Sequence, residues 1–66
     1  MKYIVVHIQD NKIILESHCI NRQAAIADMV TIAHNCGDII SDLEMDNYPS
    51  HLLPDSSRLE LICCPL

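Results

Sequence analysis

Apolar and polar residues alternate through the beginning of the chain in the manner of two β-strands. A period of two, rich in β-branched residues, runs over 2–9 and returns over 12–19. Asp10 and Asn11 lie between the two runs, and both residue types tolerate a positive φ. The pattern therefore predicts a hairpin with a two-residue turn.

A two-residue turn places Ile8 opposite Ile13 and Val6 opposite Leu15, and this register gives the hairpin two different faces. The face assigned to the core carries Ile4, Val6, Ile8, Ile13, Leu15 and Cys19. The opposite face mixes apolar and polar residues, which are Tyr3, Val5, His7, Lys12, Ile14, Glu16 and His18. Since this mixture is not typical of a solvated face, we expect another chain to cover part of it.

A helix is predicted over 22–36. Its apolar positions recur at three- and four-residue steps, at Ile26, Met29, Val30, Ala33 and Cys36. Asn21 is suited to cap the amino end. Gly37, the only glycine in the chain, stands where a left-handed residue would end the helix.

The remaining chain predicts two more strands. The period of two returns over 39–46, with a short helix as the alternative, and over 58–64. A loop is predicted over 47–57, because this segment contains prolines that interrupt regular secondary structure. The order β-β-α-β-β predicts one α+β domain over residues 1–66. Its four-stranded antiparallel sheet has the order 2-1-3-4 and carries the helix on one face.

The net charge of the chain makes some classes of function less plausible than others. The chain has nine acidic and four basic residues, which gives a net charge of −5. It therefore lacks the basic surface that is typical of a nucleic-acid-binding protein. An acidic surface favours a basic protein partner instead. No signal peptide or membrane span is recognised, so we expect a cytoplasmic protein whose four cysteines are free thiols.

Acidic residues within 39–46 form the first candidate site. On a strand, Asp42, Glu44 and Asp46 project to one side at steps of about 6.6–7 Å, a spacing comparable with that of phosphates along a nucleic-acid strand. Asp38 and Glu60 would extend this row. The alternative is a solvated strand face whose charges prevent edge-to-edge aggregation.

An apolar cluster on the hairpin forms the second candidate site. Tyr3, Val5 and His7, with Ile14, would make a partner or dimer surface on the open face of the sheet. Ordinary exposed apolar area is the alternative.

Metal and catalytic chemistry receive little support. The chain has no pair of cysteines two to four residues apart, and His7 and His18 lie roughly 13 Å apart in the predicted register. No Gly-rich loop or nucleophile elbow is present. We therefore expect no enzyme activity, no cofactor and no metal ligands.

The opening Met-Lys-Tyr-Ile-Val-Val, followed by a hairpin and an alanine-rich helix, resembles the small acidic antitoxins of the HicB family over the first half of the chain. That family's glycine-rich turn and acidic helix start are missing between Ser17 and Ala27, so no site residue is carried over.

Three functions follow, in order of preference. The first is a stoichiometric inhibitor of phage or mobile-element type, like an anti-CRISPR protein or an antitoxin, that binds a larger nucleic-acid-handling protein through a basic surface. The second is a homodimeric structural or assembly subunit that uses the open sheet face. The third is a small Cys/His metal or redox domain.

Overall fold

The structure is a computed structural model that describes residues 2–47 and 50–65. Its elements, in chain order, are β1 (Lys2–Gln9), β2 (Lys12–Cys19), α1 (Arg22–Asn35), α2 (Asp42–Asn47), β3 (Ser50–Leu52) and β4 (Arg58–Cys64).

The four strands form one antiparallel sheet in the order β2-β1-β4-β3. This confirms an α+β domain with a four-stranded antiparallel sheet. The predicted order 2-1-3-4 is wrong, because the last strand lies beside β1 and the third lies at the edge. The third strand is also a different segment, since Ser50–Leu52 belongs to the predicted loop.

The segment 39–46 forms no strand. Ser41 begins a short helix there: its carbonyl accepts the N–H of Met45 at 3.1 Å, and its hydroxyl accepts that of Glu44 at 3.2 Å. Met45 and Ile40 are then buried in the core. The alternation is overridden because the helix buries Met45 while leaving its charged neighbours in water.

The hairpin turn forms as predicted, with φ of 54° at Asp10 and 62° at Asn11. The predicted pairing next to the turn, Ile8 with Ile13, is also confirmed. An irregularity between His7 and Ile8 then shifts the register, so that Leu15 pairs with His7 rather than with Val6. The remainder of β2 is displaced by one residue.

The core lies between the sheet and the two helices. Its buried members are Val5, Cys19, Ala25, Ile26, Met29, Ala33, Ile40, Met45, Leu53 and Leu59. The core position predicted for Cys19 is therefore correct, and Leu59 and Leu61 of β4 face the same core. Of the other residues assigned to the core in the hairpin, Val6 is buried but on the sheet face away from the helices. The assignments of Ile4, Ile8, Ile13 and Leu15 are wrong.

The helix α1 ends as its sequence indicates. Asn21 Oδ1 accepts the N–H of Ala24 at 2.8 Å. At the other end Gly37 has φ of 89° and donates its N–H to the His34 carbonyl at 3.0 Å, while Asp38 donates to that of Ala33 at 2.9 Å. These two bonds form a Schellman motif, which fixes the position of the chain after α1.

Among residues 2–47 and 50–65, no helix combines the length and the apolar character needed to cross a lipid bilayer.

Candidate functional site

The acidic residues of the first candidate site lie on α2. The prediction of a carboxylate row along a strand is wrong, because Asp42, Glu44 and Asp46 belong to a helix. Asp46 is neutralised: Arg22 Nε donates to its Oδ1 at 2.7 Å, and this bond raises the pKa of Arg22. Asp42 and Glu44 are exposed and take part in no ion pair among the residues that the structure describes.

The two residues expected to extend the acidic row do not reach it. Asp38 lies 3.1 Å from His51 Nε2 and forms an ion pair with that side chain when it is protonated. Glu60 lies on the sheet face away from the helices and pairs with Arg58 at 3.1 Å. Both carboxylates are therefore engaged within the chain.

Exposed apolar side chains accompany the free carboxylates. Leu43 is 73% exposed, and Ile39, four residues earlier, is 84% exposed. A groove of about 500 Å³ runs beside Leu43, and it is lined by Arg22, Gln23, Ile26, Asp42, Leu43 and Asp46. Together, Asp42, Leu43, Glu44 and this groove are named the α2 surface.

Charge is unevenly distributed over the molecule. Of the four basic residues, only Arg22 lies outside the strands. Most acidic residues lie outside the strands, in turns, helices and loops: Asp10, Asp28, Asp38, Asp42, Glu44, Asp46 and Asp55. The helical side of the protein therefore carries most of the net negative charge.

The opposite face of the sheet, named the open sheet face, is apolar at its centre, and its two acidic side chains each have a partner within the chain. It carries Ile4, Val6, Ile8, Ile13, Glu16, His18, Leu52, Arg58, Glu60 and Ile62. His18 lies 2.9 Å from Glu16, and Arg58 pairs with Glu60. Ile13 and Ile62 remain 59% and 42% exposed.

The second candidate surface is not on that face. Tyr3 packs against the core, Val5 is fully buried, and His7 is 7% exposed, all on the side that the helices cover. Their predicted placement on the open face is wrong. Both sides of β1 are apolar because it is a central strand, so alternation could not identify the covered side.

His7 belongs to a buried polar cluster. Its Nε2 lies 2.8 Å from the Ser57 hydroxyl, which in turn donates to Asp55 Oδ1. The backbone N–H of Ser57 donates to the same oxygen at 3.0 Å. These two bonds from Ser57 hold the pKa of Asp55 below its ordinary value of 3.8.

Cys36, the C-cap residue of α1, completes the cluster. Ligand atoms of His7, Cys36 and Asp55 all lie within 4.8 Å of one another. Burial raises the pKa of the Cys36 thiol, and the charge of Asp55 raises it further. The thiol is therefore protonated at neutral pH, and like the other three cysteines it is free.

The sequence did not reveal this cluster. Asp55 and Ser57 have the two-residue spacing of an Asx turn, so the sequence contains a local signal for these two members of the cluster. His7 and Cys36 come from distant segments, β1 and the end of α1. Only the tertiary fold brings them to the loop before β4.

Comparison with known protein families, with characterised proteins and with solved structures finds no match to this chain.

Proposed function

We propose that this protein is a small acidic binding module that inhibits a larger, basic protein by occupying it stoichiometrically through the α2 surface. One observation carries the proposal: Leu43 is 73% exposed, and the carboxylates on either side of it form no ion pair within the described part of the chain. A partner segment that combines apolar and basic side chains complements such a surface.

The expected interaction energies of Leu43 and of the two carboxylates differ in size. Burying a leucine side chain contributes about 1.5–3 kcal/mol. An exposed ion pair at the rim of an interface contributes about 0.2–1 kcal/mol. Leu43 therefore supplies more of the affinity than Asp42 or Glu44. The carboxylates act mainly on the association rate and on the choice of a basic partner.

The partner class follows from the charge. With net charge −5, most of it on the helical side, the protein is attracted to basic surfaces and repelled by nucleic acid itself. A groove that handles nucleic acid has this basic chemistry. The proposed setting is the cytoplasm, where four free thiols would stay reduced.

The test is affinity capture from an extract of the source cells, washed first at low and then at moderate salt. The tagged wild-type protein is compared with Asp42→Asn/Leu43→Ala/Glu44→Gln. Ile13→Ala/Glu16→Gln/Glu60→Gln is the matched control, because it removes an exposed aliphatic side chain and two carboxylate charges from the opposite face.

The proposal predicts that the wild type and the control retain the same basic, nucleic-acid-handling protein, that rising salt releases it, and that the α2 variant does not retain it. Equal retention by the α2 variant would exclude the α2 surface. Recovery of no other protein would contradict the inhibitor function as a whole.

A second function, a homodimeric assembly subunit, is favoured by the open sheet face. That face has an apolar centre, its Glu60 forms an ion pair with Arg58, and its Glu16 shares a hydrogen bond with His18. Two copies can therefore approach through it with less electrostatic repulsion than through the helical side.

Sedimentation over a range of protein concentrations tests this second function. The homodimer predicts an association that Ile62→Asp, on the open sheet face, abolishes and that Leu43→Asp leaves unchanged. A charge at Val5 is not a suitable probe, because Val5 is fully buried and the substitution would disrupt the core. A monomer at every concentration would rule the homodimer out.

A further inference from the structure

The buried polar cluster brings together three side chains with metal-binding atoms from three separate elements. His7 lies on β1, Cys36 caps α1, and Asp55 lies in the loop before β4. We infer that these three residues bind a divalent transition-metal ion of the zinc class. This site is independent of the α2 surface.

The distances suit such an ion. Zinc–ligand bonds of about 2.0–2.3 Å place neighbouring tetrahedral ligands roughly 3.3–3.8 Å apart. The ligand atoms here already lie within 4.8 Å of one another, so closure onto an ion needs shifts of about 1 Å. Asp55 is exposed in a loop and Cys36 is half-buried at a helix end, so both can make such shifts.

The composition of the core supports the inference. Among residues 2–47 and 50–65, His7 and Ser57 are the only buried polar residues, and both belong to this cluster. Burying polar groups is costly unless they are hydrogen-bonded. The hydrogen bond between His7 and Ser57 meets this cost, and the two residues concentrate the buried polarity of the described chain at the proposed site.

Ser57 arranges the other side chains. Its hydroxyl proton is directed to Asp55, so its oxygen accepts a hydrogen bond from the N–H of His7 Nε2. The lone pair of the neutral ring then lies on Nδ1, through which His7 would bind the ion; binding through Nε2 would require its hydrogen bond to Ser57 to break. Metal-binding histidines typically hold their second ring nitrogen in such a hydrogen bond, and metal-binding carboxylates are likewise hydrogen-bonded. Ser57 therefore has the position of an outer partner to two ligands.

The charge of the assembled site is balanced. When the ion binds, a metal–sulfur bond forms at Cys36, the S–H bond breaks, and the proton passes to the solvent. One thiolate and one carboxylate then compensate the two positive charges, and the imidazole is neutral. Soft thiolate and imidazole ligands favour zinc over magnesium or calcium.

Three protein ligands leave one tetrahedral position unfilled. Since Asp55 is exposed, water or a ligand atom from a partner would fill this position. The arrangement is that of an open zinc site rather than a closed structural one.

Cobalt titration of the purified, reduced protein tests the site. Co²⁺ bound by a thiolate gives a sulfur-to-metal charge-transfer absorption. The wild type should show this band at one ion per chain and lose it when Zn²⁺ is added. Cys36→Ser should abolish the band. Cys63→Ser, which removes an exposed cysteine outside the cluster, should retain it.

Three further variants distinguish ligands from neighbours. Asp55→Asn should weaken zinc binding at least about 100-fold, whereas Asp38→Asn should not change it. Ser57→Ala should weaken it by about 10- to 100-fold, as expected for an outer partner. Circular dichroism of each variant establishes that it is folded.

The inference is overturned if the wild type gives no charge-transfer band, or if Cys36→Ser keeps it. Zinc binding that Asp55→Asn leaves intact in a folded protein would also overturn it.

Discussion

Ser57→Ala removes a hydroxyl group that lies wholly inside the protein. In the wild type this group receives a hydrogen bond from His7 Nε2 at 2.8 Å and donates one to Asp55. Alanine retains the Cβ and the backbone, so the substitution tests these two hydrogen bonds with little change in packing.

The two bonds differ in what their loss costs. Asp55 is exposed, so water replaces the lost hydroxyl, and the backbone N–H of Ser57 continues to donate to it. His7 is 7% exposed and is left with an unpartnered polar atom. That loss costs about 1–3 kcal/mol. A domain of this size has a free energy of unfolding of about 3–10 kcal/mol, so the change is a substantial part of it.

Urea denaturation, with a chelator present to keep the protein free of metal, measures the cost. Ser57→Ala should lower the midpoint without changing the slope. Ser50→Ala, which removes an exposed hydroxyl from β3, should change the free energy of unfolding by less than about 0.5 kcal/mol. In a His7→Leu background, Ser57→Ala should cost less, because no buried donor is left without a partner.

The reasoning is refuted if Ser57→Ala and Ser50→Ala have equal effects. It is also refuted if the cost of Ser57→Ala is unchanged when His7 is leucine, because the loss would then not come from the hydrogen bond between them.

Three other predictions concern stability. Met29→Ala should lower the free energy of unfolding by about 2–5 kcal/mol in urea denaturation, because Met29 is fully buried. Gly37→Ala should cost about 1–2 kcal/mol and Gly37→Asn less, since φ is 89° and a Cβ meets no atom within 4 Å. The depressed pKa of Asp55 contributes stability that is present above its unfolded value of 3.8 and is lost as the pH falls through the lower folded value. Acid titration of the metal-free protein should therefore show a smaller loss below about pH 4 for Asp55→Asn.

Features set by neighbouring residues could be predicted from the sequence. The turn at Asp10 and Asn11 and the end of α1 at Gly37 each depend on residues that tolerate a positive φ. The cap at Asn21 depends on a side chain that reaches a nearby backbone N–H. These signals do not depend on the rest of the fold.

The sheet order and the covered face could not be predicted in the same way. Val5 and Val6 are both buried, one under the helices and one on the open sheet face. Alternation along β1 is therefore equally compatible with either face. The pairing of β1 with β4 closes a long stretch of chain, and no local pattern specifies it.

The segment 39–46 shows how packing overrides a pattern. Its alternation fits a strand, but Met45 and Ile40 reach the core only when Ser41 begins a helix. Because this segment is a helix and not a strand, Asp42 and Glu44 do not form a row of carboxylates but lie on the two sides of the exposed Leu43. It also made Leu43, rather than the acidic residues, the main source of expected affinity.

The most direct test of the proposed function is the affinity of the captured partner for Leu43→Ala and for Ile13→Ala, measured by titration calorimetry. If the α2 surface binds the partner, Leu43→Ala should weaken the complex by about 10- to 150-fold, the equivalent of 1.5–3 kcal/mol, and Ile13→Ala should not. Equal affinities of the two variants, or a loss confined to Ile13→Ala, would contradict binding through α2 and place the partner elsewhere on the protein.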